Sequence, residues 1–223
     1  MPPAQPNATR RLLITAGPTH EPIDAVRFIG NRSSGRMGVA LAAHAARRGW
    51  LVTLLLGPAT VHPLDTNAEI IRFRTCEDLR ALLRSHAPRA DVLVMAAAVA
   101  DFRPKVDPAQ FTGKFRRTDQ PMTLTLEPTP DLLAEVAANR RPGQTLIGFA
   151  LEPREDLLAS AAAKLQRKRI DMVVANPLET MDSEQIEAIV LHADQTEDRT
   201  PGRMPKGEFA PWLMDIIERR VRP

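Results

Sequence analysis

Two short stretches of the sequence share one pattern and together indicate the fold: RLLITAGP at residues 11–18 and LVTLLLGP at residues 51–58. Each is an apolar run of strand length that ends in a Gly-Pro turn signal. Between them, residues 37–48 have the pattern of a helix, with a serine before it as N-cap and Gly49 after it as C-cap. A buried strand, a helix and a second buried strand predict a parallel pair covered on both faces.

The same alternation continues along the chain. Further strands are predicted at residues 70–74, 91–98, 123–126, 145–151, 171–175 and 188–192, and helices at 77–86, 131–139, 155–169 and 211–220. The predicted fold class is α/β, a three-layer, Rossmann-like, doubly wound and mostly parallel sheet. Residues 101–121 lack periodicity and carry prolines and cations, so we expect a long active-site loop there. We also expect a flexible N-terminus over residues 1–10 and one domain over residues 11–223.

Composition excludes several classes of protein. Of 223 residues, 43% are hydrophobic, but no apolar run approaches the roughly 20 residues that a membrane-spanning helix needs. The N-terminus lacks the apolar core of a secretion signal, and the single cysteine, Cys76, cannot form a disulfide within one chain. We therefore expect a cytoplasmic protein with no membrane partner.

Nucleic acid is not an expected partner either. The formal net charge is only +3, aromatic residues make up 4% of the chain, and tyrosine is absent. A surface that binds nucleic acid needs clustered cations, and one that binds single strands also needs aromatic side chains for stacking. The cations here are scattered, which is typical of solvated surface charge.

The fold predicts where a ligand binds. In doubly wound sheets, ligands lie at the carboxyl ends of the strands. This rule brings together four segments: residues 17–35, residues 96–101, the region near Phe149, and residues 175–176.

The first candidate is the segment Asn31–Gly38. Arg32, Ser33, Ser34 and Gly35 lie before a predicted helix, where hydroxyls, free N–H groups and the helix dipole favour a phosphate. An ordinary capped helix with surface arginines explains these residues equally well. The sequence contains no Gly-x-Gly-x-x-Gly after the first strand and no acidic residue ending the second, so a dinucleotide fingerprint is not indicated.

Three further candidates are weaker on their own. Small residues at 96–101 let a flat ligand approach the backbone, and Asp101 can accept from ribose hydroxyls. Lys114, which begins a Lys-Phe-Arg-Arg run, can close over a triphosphate. Lys164 and Lys168 lie four residues apart and share a helix face. Helix packing, a solvated loop and exposed lysines remain open as explanations.

Cysteine and histidine give little support for other chemistry. Cys76 precedes a predicted helix, where the pKa of a thiol can be lowered, but it has no partner in sequence. The sequence contains no Cys/His cluster, so no metal ligands are assigned.

Taken in order, these stretches resemble the phosphopantothenoylcysteine synthetase family, the phosphopantothenate–cysteine ligase half of the bifunctional coenzyme A biosynthesis flavoprotein. The resemblance covers nearly the whole chain, and its Asn-Arg-Ser-Ser-Gly motif is highly specific. The matching stretches are residues 14–19, 21–38, 97–104, 114–117, 130–133, 148–152 and 174–176, with Lys164 and Lys168.

The resemblance implies an activity. Members join 4′-phosphopantothenate to L-cysteine with CTP or ATP, through an acyl-nucleotidylate and with release of pyrophosphate, and Mg²⁺ is expected to accompany the triphosphate. Bacterial members typically use CTP. A homodimer is implied, with the segment at residues 188–192 as a plausible exchanged element. Because the chain has no room for the decarboxylase domain, a separate chain is expected to supply that step.

The resemblance also assigns residues. Asn31 matches the catalytic asparagine, Arg27 lies near the phosphopantothenate, and Lys114 matches the loop lysine of nucleotide activation. The positions that match the nucleotide site are Gly17, Thr19, Met95, Ala96, Ala97, Asp101, Phe149, Lys164 and Lys168. Departures from the family pattern are Gly30 in place of a polar residue, Leu151 in place of a small one, and the Lys-Phe-Arg-Arg run itself.

Three rival interpretations remain. An NAD(P)- or nucleotide-binding Rossmann protein of other function needs a glycine fingerprint, and a nucleic-acid-binding module needs a basic stripe with aromatics. An inactive family member that serves as a partner subunit is a third, against which the presence of Asn31 and Lys114 argues.

Overall fold

The computed structural model describes residues 9–59, 61, 67–105, 113–181 and 183–221. The predicted flexible N-terminus lies almost wholly outside this part of the chain. The described strands are β1 Arg11–Ala16, β2 His20–Pro22, β3 Phe28–Gly30, β4 Leu51–Leu56, β5 Glu69–Arg72, β6 Val92–Met95, β7 Phe102–Pro104, β8 Leu126–Pro128, β9 Thr145–Glu152, β10 Met172–Pro177, β11 Gln185–Ile186, β12 Ile189–His192, β13 Glu197–Arg199 and β14 Met204–Pro205. The α-helices are α1 Arg36–Arg47, α2 Cys76–His86, α3 Leu132–Ala138, α4 Leu157–Lys168 and α5 Lys206–Arg220.

The central sheet has the strand order β13-β12-β10-β9-β6-β1-β4-β5. Strands β5, β4, β1, β6, β9 and β10 are parallel, and β12 and β13 extend the sheet with antiparallel pairings. The chain first moves outward from β1 to β4 and β5, then returns through α2 to β6 beside β1. The strand order therefore reverses between β1 and β6, which is where doubly wound sheets form a ligand crevice.

Helices cover both faces of this sheet, as predicted. The buried side chains of α1 and α5 pack together with one face, and those of α2, α3 and α4 pack on the other. Because both faces are covered, strand β6 is buried at every position. Gly38 brings α1 close to β1, since a Cβ at this position would lie 2.4 Å from the Cβ of Ala16.

Most predicted elements are confirmed. The first two strands have the predicted bounds, and the long helices and the remaining core strands lie within a few residues of theirs. Helix α5 begins at Lys206, before the predicted start at residue 211. The local pattern missed this first turn because Pro211, which the helix contains, suggested a boundary.

Three predictions were wrong in detail. The predicted serine N-cap of α1 is Gly35, which has a left-handed φ of 74° that a serine rarely adopts. The strand predicted at residues 123–126 is β8, three residues later at its start, because it pairs with β7. That pairing also places a strand at the start of the predicted loop 101–121, of which residues 106–112 lie outside the described residues.

Strands β7 and β8 form one small hairpin, and a second one occurs where the sequence suggested only a polar loop. Strands β2 and β3 pair antiparallel, and β2 lies against β7 of the other hairpin. Within the described part of the chain, no helix has the length and apolar character needed to cross a membrane.

Candidate functional site

A cleft of about 820 Å³ opens at the carboxyl edge of the sheet, at the point where the strand order reverses. It is lined by residues 30–38 before and at the start of α1, residues 95–99 and 101 after β6, residues 129–133, and residues 149–152 of β9. Asn176 of β10 also lines it. The structure thus brings together all four segments that the strand-end rule predicted.

The N-terminal end of α1 lines one part of the cleft and is suited to an anion. Gly35 is the N-cap of α1 and has no side chain to cap the helix, and the first turn of the helix carries no acidic residue. Ser33 and Ser34 line the cleft beside this helix end. The positive end of the helix dipole and the serine hydroxyls therefore face the same space, which suits a phosphate.

Two arginines accompany this end. Arg32 and Arg36 both line the cleft, and the guanidinium of Arg36 forms an ion pair with Glu184. Glu184 is 80% exposed at its side chain, so this pair is weak in water and easily exchanged for an anionic ligand.

The floor of the cleft is the segment that follows β6. The N–H of Ala96 donates to the carbonyl of Thr15 at 3.1 Å, and the N–H of Ala97 donates to Thr15 Oγ1 at 3.1 Å. The side-chain amide of Asn31 donates to the carbonyl of Val99 at 2.9 Å. The N–H groups of Ala96 and Ala97 are thus used within the protein, as are the carbonyls of Ala98, which accepts from the N–H of Thr19, and Val99.

The other end of the cleft is cationic and is contributed by α4. Lys164, Arg167 and Lys168 all line it. Burial, and next the charge of Lys168, lower the pKa of Lys164 to about 8. Its Nζ donates to the carbonyl of Phe149. This lysine therefore changes charge just above neutral pH, unlike an ordinary surface lysine.

Asp131 is a cleft residue that the sequence assignment did not single out. It caps α3 by accepting from the N–H of Ala134 at 3.1 Å, and it pairs with Lys168 Nζ at 2.9 Å. Burial raises the pKa of Asp131, but hydrogen bonds from Lys168 and Ala134 outweigh this effect and the pKa lies below its usual value. Its position at the start of a predicted helix was the signal in the sequence for the cap.

Two predicted nucleotide-site residues lie beneath the cleft rather than along it. Thr19 is fully buried, and its Oγ1 accepts from the N–H of Ala100 at 3.0 Å. The carbonyl of Gly17 accepts from the N–H of Ala98 at 2.9 Å. Both positions shape the segment after β6. The remaining predicted nucleotide residues, Met95, Ala96, Ala97, Asp101, Phe149, Lys164 and Lys168, line the cleft.

Arg27 lies beside the segment that carries Lys114, but neither residue is among those that line the cleft. Arg27 Nη2 donates to the carbonyl of Phe115 at 2.9 Å, and Lys114 is an exposed residue of this segment. The tertiary structure thus joins two residues that are far apart in the sequence, and places both beside the two small hairpins.

Cys76 does not have the reactive character that its place before a helix suggested. It is fully buried, and burial, followed by the charges of Glu21 and Glu77, raises its pKa to about 11. Its N–H donates to the buried Glu21 Oε1 at 2.8 Å. The prediction failed because burial outweighs the helix dipole.

Among the described residues, no group of three or more His, Cys, Asp or Glu side chains lies close enough to hold a metal ion.

The strand order, the cleft at its reversal point and the cations that line it define a Rossmann-like α/β domain with a site suited to phosphorylated ligands. The profile of the DNA/pantothenate metabolism flavoprotein C-terminal domain family matches residues 7–221. The chain belongs to this family.

Individual relatives agree with this assignment. The Coenzyme A biosynthesis bifunctional protein CoaBC of Mycobacterium tuberculosis is 44% identical over 179 residues, which cover 76% of this chain and 42% of that protein. A Cysteine/Cysteine sulfinic acid decarboxylase from an unknown prokaryotic organism is 43% identical over 169 residues, covering 76% and 46%. This chain therefore spans about half the length of these curated relatives.

A solved structure extends over nearly the whole chain. The C-terminal domain of the Coenzyme A biosynthesis bifunctional protein CoaBC has a TM-score of 0.79 and 31% identity, and the match covers 96% of this chain and 98% of that one. The mostly parallel, three-layer fold is therefore the fold of this family.

Proposed function

We propose that this protein joins 4′-phosphopantothenate to L-cysteine and cleaves CTP, or ATP, to the monophosphate and pyrophosphate. The observation that carries the proposal is that the cleft is lined both by the uncapped start of α1 and by the three cations of α4. The start of α1 comes from one face of the sheet and the cations of α4 come from the other. Two phosphorylated substrates need two such anion-binding groups, and a ligand with a single phosphate needs only one. Relatives named for coenzyme A biosynthesis support the same reaction.

The chemistry follows in two steps. The substrate carboxylate oxygen attacks the α-phosphorus of the nucleotide, and the bond to pyrophosphate breaks. The cysteine amine then attacks the acyl carbon, loses a proton and displaces the nucleoside monophosphate. Negative charge grows on the phosphates in the first step and on the acyl oxygen in the second, so cations serve the first and a neutral donor serves the second.

The residues divide accordingly. Lys164 and Lys168, which line the cleft, bind the triphosphate. Lys114 does not line the cleft of its own chain, and its role in neutralising charge as pyrophosphate leaves is the one that the resemblance implies. Arg32, Ser33, Ser34 and Gly35 hold the phosphate of phosphopantothenate, with Arg27 nearby. Asn31 donates to the acyl oxygen with the N–H that its bond to Val99 leaves available.

The floor of the cleft supports a base with an exocyclic amino group. The N–H groups of Ala96 and Ala97 donate to Thr15, so we propose that a base in the cleft is read by backbone carbonyls of this segment rather than by these N–H groups. Cytosine and adenine both carry an amino group that can donate to such carbonyls, whereas uracil does not. We propose CTP as the preferred nucleotide, with Mg²⁺ bound to its triphosphate.

We further propose a homodimer in the cytoplasm. The segment at residues 188–192, expected to be exchanged, is mostly strand β12, which already pairs within the chain with β10 and β13. The two small hairpins instead expose large apolar side chains, with Val26 59%, Phe28 44%, Phe102 53% and Leu126 44% exposed. Val26 and Phe28 belong to the first hairpin and Phe102 and Leu126 to the second, and the two hairpins meet where β2 lies against β7. A second copy of this chain is the occupant we propose for these apolar side chains.

A coupled assay of pyrophosphate release tests the reaction. The purified chain is mixed with phosphopantothenate, cysteine, Mg²⁺ and each nucleotide in turn, and the product is identified by mass spectrometry. Pyrophosphate is expected only when phosphopantothenate and a nucleotide are both present, and the condensed product only when cysteine is added. Absence of both products with every nucleotide overturns the proposal, and tight binding of NAD(P) in its place favours the rival Rossmann function.

A further inference from the structure

A buried carboxylate outside the cleft makes an unusual set of contacts. The side chain of Asp24 is fully buried. Its Oδ1 accepts from the N–H groups of Val26 and Arg27 at 2.8 and 2.7 Å, and its Oδ2 accepts from the N–H of Phe115 at 3.1 Å. The first two bonds form a local turn, whereas the third reaches 91 residues along the chain.

The segment that carries Lys114 is held on both sides. The carbonyl of Gly113, just before it, accepts from the N–H of Ala25 at 3.2 Å. The N–H of Phe115, just after it, donates to Asp24, and the carbonyl of Phe115 accepts from Arg27 Nη2 at 2.9 Å. Three hydrogen bonds thus hold the backbone on both sides of Lys114 against the turn at residues 24–27.

We propose that Asp24 is a positioning residue that fixes Lys114 relative to Arg27 by holding the backbone of Phe115. The inference rests on the proposed function for the role of Lys114, but the contact itself does not depend on it. A carboxylate is required because it accepts at both oxygens at once. Burial raises the pKa of Asp24, but the N–H groups of Arg27, Val26 and Phe115 outweigh this effect and the pKa lies below its usual value. The group therefore stays ionised at neutral pH.

The substitution Asp24→Asn separates the two tasks of this side chain. The amide oxygen can keep the local bonds to Val26 and Arg27, since asparagine favours such turns. The amide NH₂ then faces the N–H of Phe115, so two donors oppose each other and the long-range bond is lost. The turn remains, and the segment around Lys114 loses one of its three hydrogen bonds and opens more often.

The rate of trypsin cleavage after Lys114 measures how often this segment opens, and the measurement does not depend on any assay of activity. We expect Asp24→Asn to be cleaved after Lys114 about ten- to a hundredfold faster than the unmodified protein, since a hydrogen bond to a charged group is lost. The melting temperature should stay close to that of the unmodified chain. The matched control is Asp91→Asn, which removes a carboxylate that likewise joins a backbone N–H, that of Arg11, to an arginine, Arg141. Asp91 precedes β6, at the other edge of the sheet from the cleft, and this control should leave cleavage after Lys114 unchanged.

A kinetic measurement connects the contact to the reaction. In Asp24→Asn, the kcat for pyrophosphate release should fall at least tenfold with a smaller change in the KM for nucleotide. Unchanged cleavage after Lys114 overturns the inference, as does faster cleavage with unchanged pyrophosphate release. If the unmodified chain forms no pyrophosphate, the proposed function fails, whereas faster cleavage after Lys114 in Asp24→Asn still supports the holding contact.

Discussion

The side-chain amide of Asn31 donates a hydrogen bond to the backbone carbonyl of Val99 at 2.9 Å. The bond joins the loop before α1 to the segment after β6, across the point where the strand order reverses. It fixes the direction of the amide group and leaves a second N–H and the amide oxygen for a substrate. Asn31 is thus held in place by the floor of the cleft that it serves.

The first prediction separates the two half-reactions. Lys114→Gln should slow pyrophosphate release by about a hundred- to a thousandfold, because a charge contact on the leaving phosphates is lost. Asn31→Asp should release pyrophosphate once and then stall. An ionised aspartate cannot donate to the acyl oxygen, and it also faces the carbonyl of Val99. Rapid quench with labelled nucleotide measures both the burst and the accumulated acyl-nucleotidylate.

The opposite pattern would reverse these roles. If Lys114→Gln accumulates the intermediate and Asn31→Asp does not, the lysine serves the second step. Normal turnover of both variants would place the reacting groups elsewhere. Asn31→Gln is a useful companion variant, because it keeps the amide but moves it along a longer side chain.

The second prediction concerns the nucleotide base. The proposed carbonyl contact favours a base with an amino group, which CTP and ATP carry and UTP lacks, and the family resemblance favours CTP over ATP. We therefore expect turnover to be highest with CTP, lower with ATP and at least about tenfold lower with UTP than with CTP. Initial rates at equal nucleotide concentrations measure this order. A rate with UTP equal to that with CTP contradicts the carbonyl contact, and a clear preference for ATP contradicts the choice of CTP.

The third prediction is a pH dependence of nucleotide binding. The pKa of Lys164 is lowered to about 8, so the side chain is charged below this pH and becomes neutral as the pH rises through it. A triphosphate binds the charged form, and its affinity should therefore fall about tenfold between pH 7 and pH 9. Calorimetry across this range measures the change.

The matched variants for this effect lie on the same helix. Lys164→Met should weaken binding at pH 7 and remove the step near pH 8. Lys168→Met should weaken binding and keep a step that moves to higher pH, because Lys164 remains but its pKa is no longer lowered by the charge of Lys168. A step that persists in Lys164→Met would assign the titration to another group.

The fourth prediction concerns assembly. Light scattering should give a mass of about twice the 24.6 kDa of one chain. Phe102→Glu should produce monomers, because it places a charge among the exposed apolar side chains of the hairpins. Leu51→Glu is the control, since Leu51 is 54% exposed, as Phe102 is at 53%, but lies at the start of β4. A single-chain mass at micromolar concentration would contradict the dimer.

The fifth prediction is that Cys76 is inert in the folded protein. With a pKa of about 11, only about one thiol in a thousand is ionised at pH 8, and the side chain is fully buried. A thiol reagent at pH 8 should therefore label the native chain very slowly and the urea-unfolded chain fully. Complete labelling of the native chain within minutes would contradict this environment.

The local pattern of apolar and polar residues in the sequence was enough to predict most of the strands and helices and part of the candidate site. Strand β1 and the helices have apolar periodicities that tertiary contacts reinforce. Asn31 and the two serines could be placed in the cleft because the strand-end rule depends only on the order of elements, whereas Lys164 and Lys168 were assigned to it through the family resemblance. The hairpins of β2–β3 and β7–β8 were missed because each is short and its register depends on a partner strand.

The sequence by itself determined the layered α/β fold, the family and the residues around the start of α1, because hydrophobic period and motif order are properties of the chain. Only the tertiary structure decided that Gly35 rather than a serine caps α1, that burial lowers the pKa of Lys164 and raises that of Cys76, and that Asp24 holds the backbone beside Lys114. Each of these depends on backbone conformation, burial or contacts between distant residues. Such properties arise when the segments meet, so no local stretch of sequence carries them.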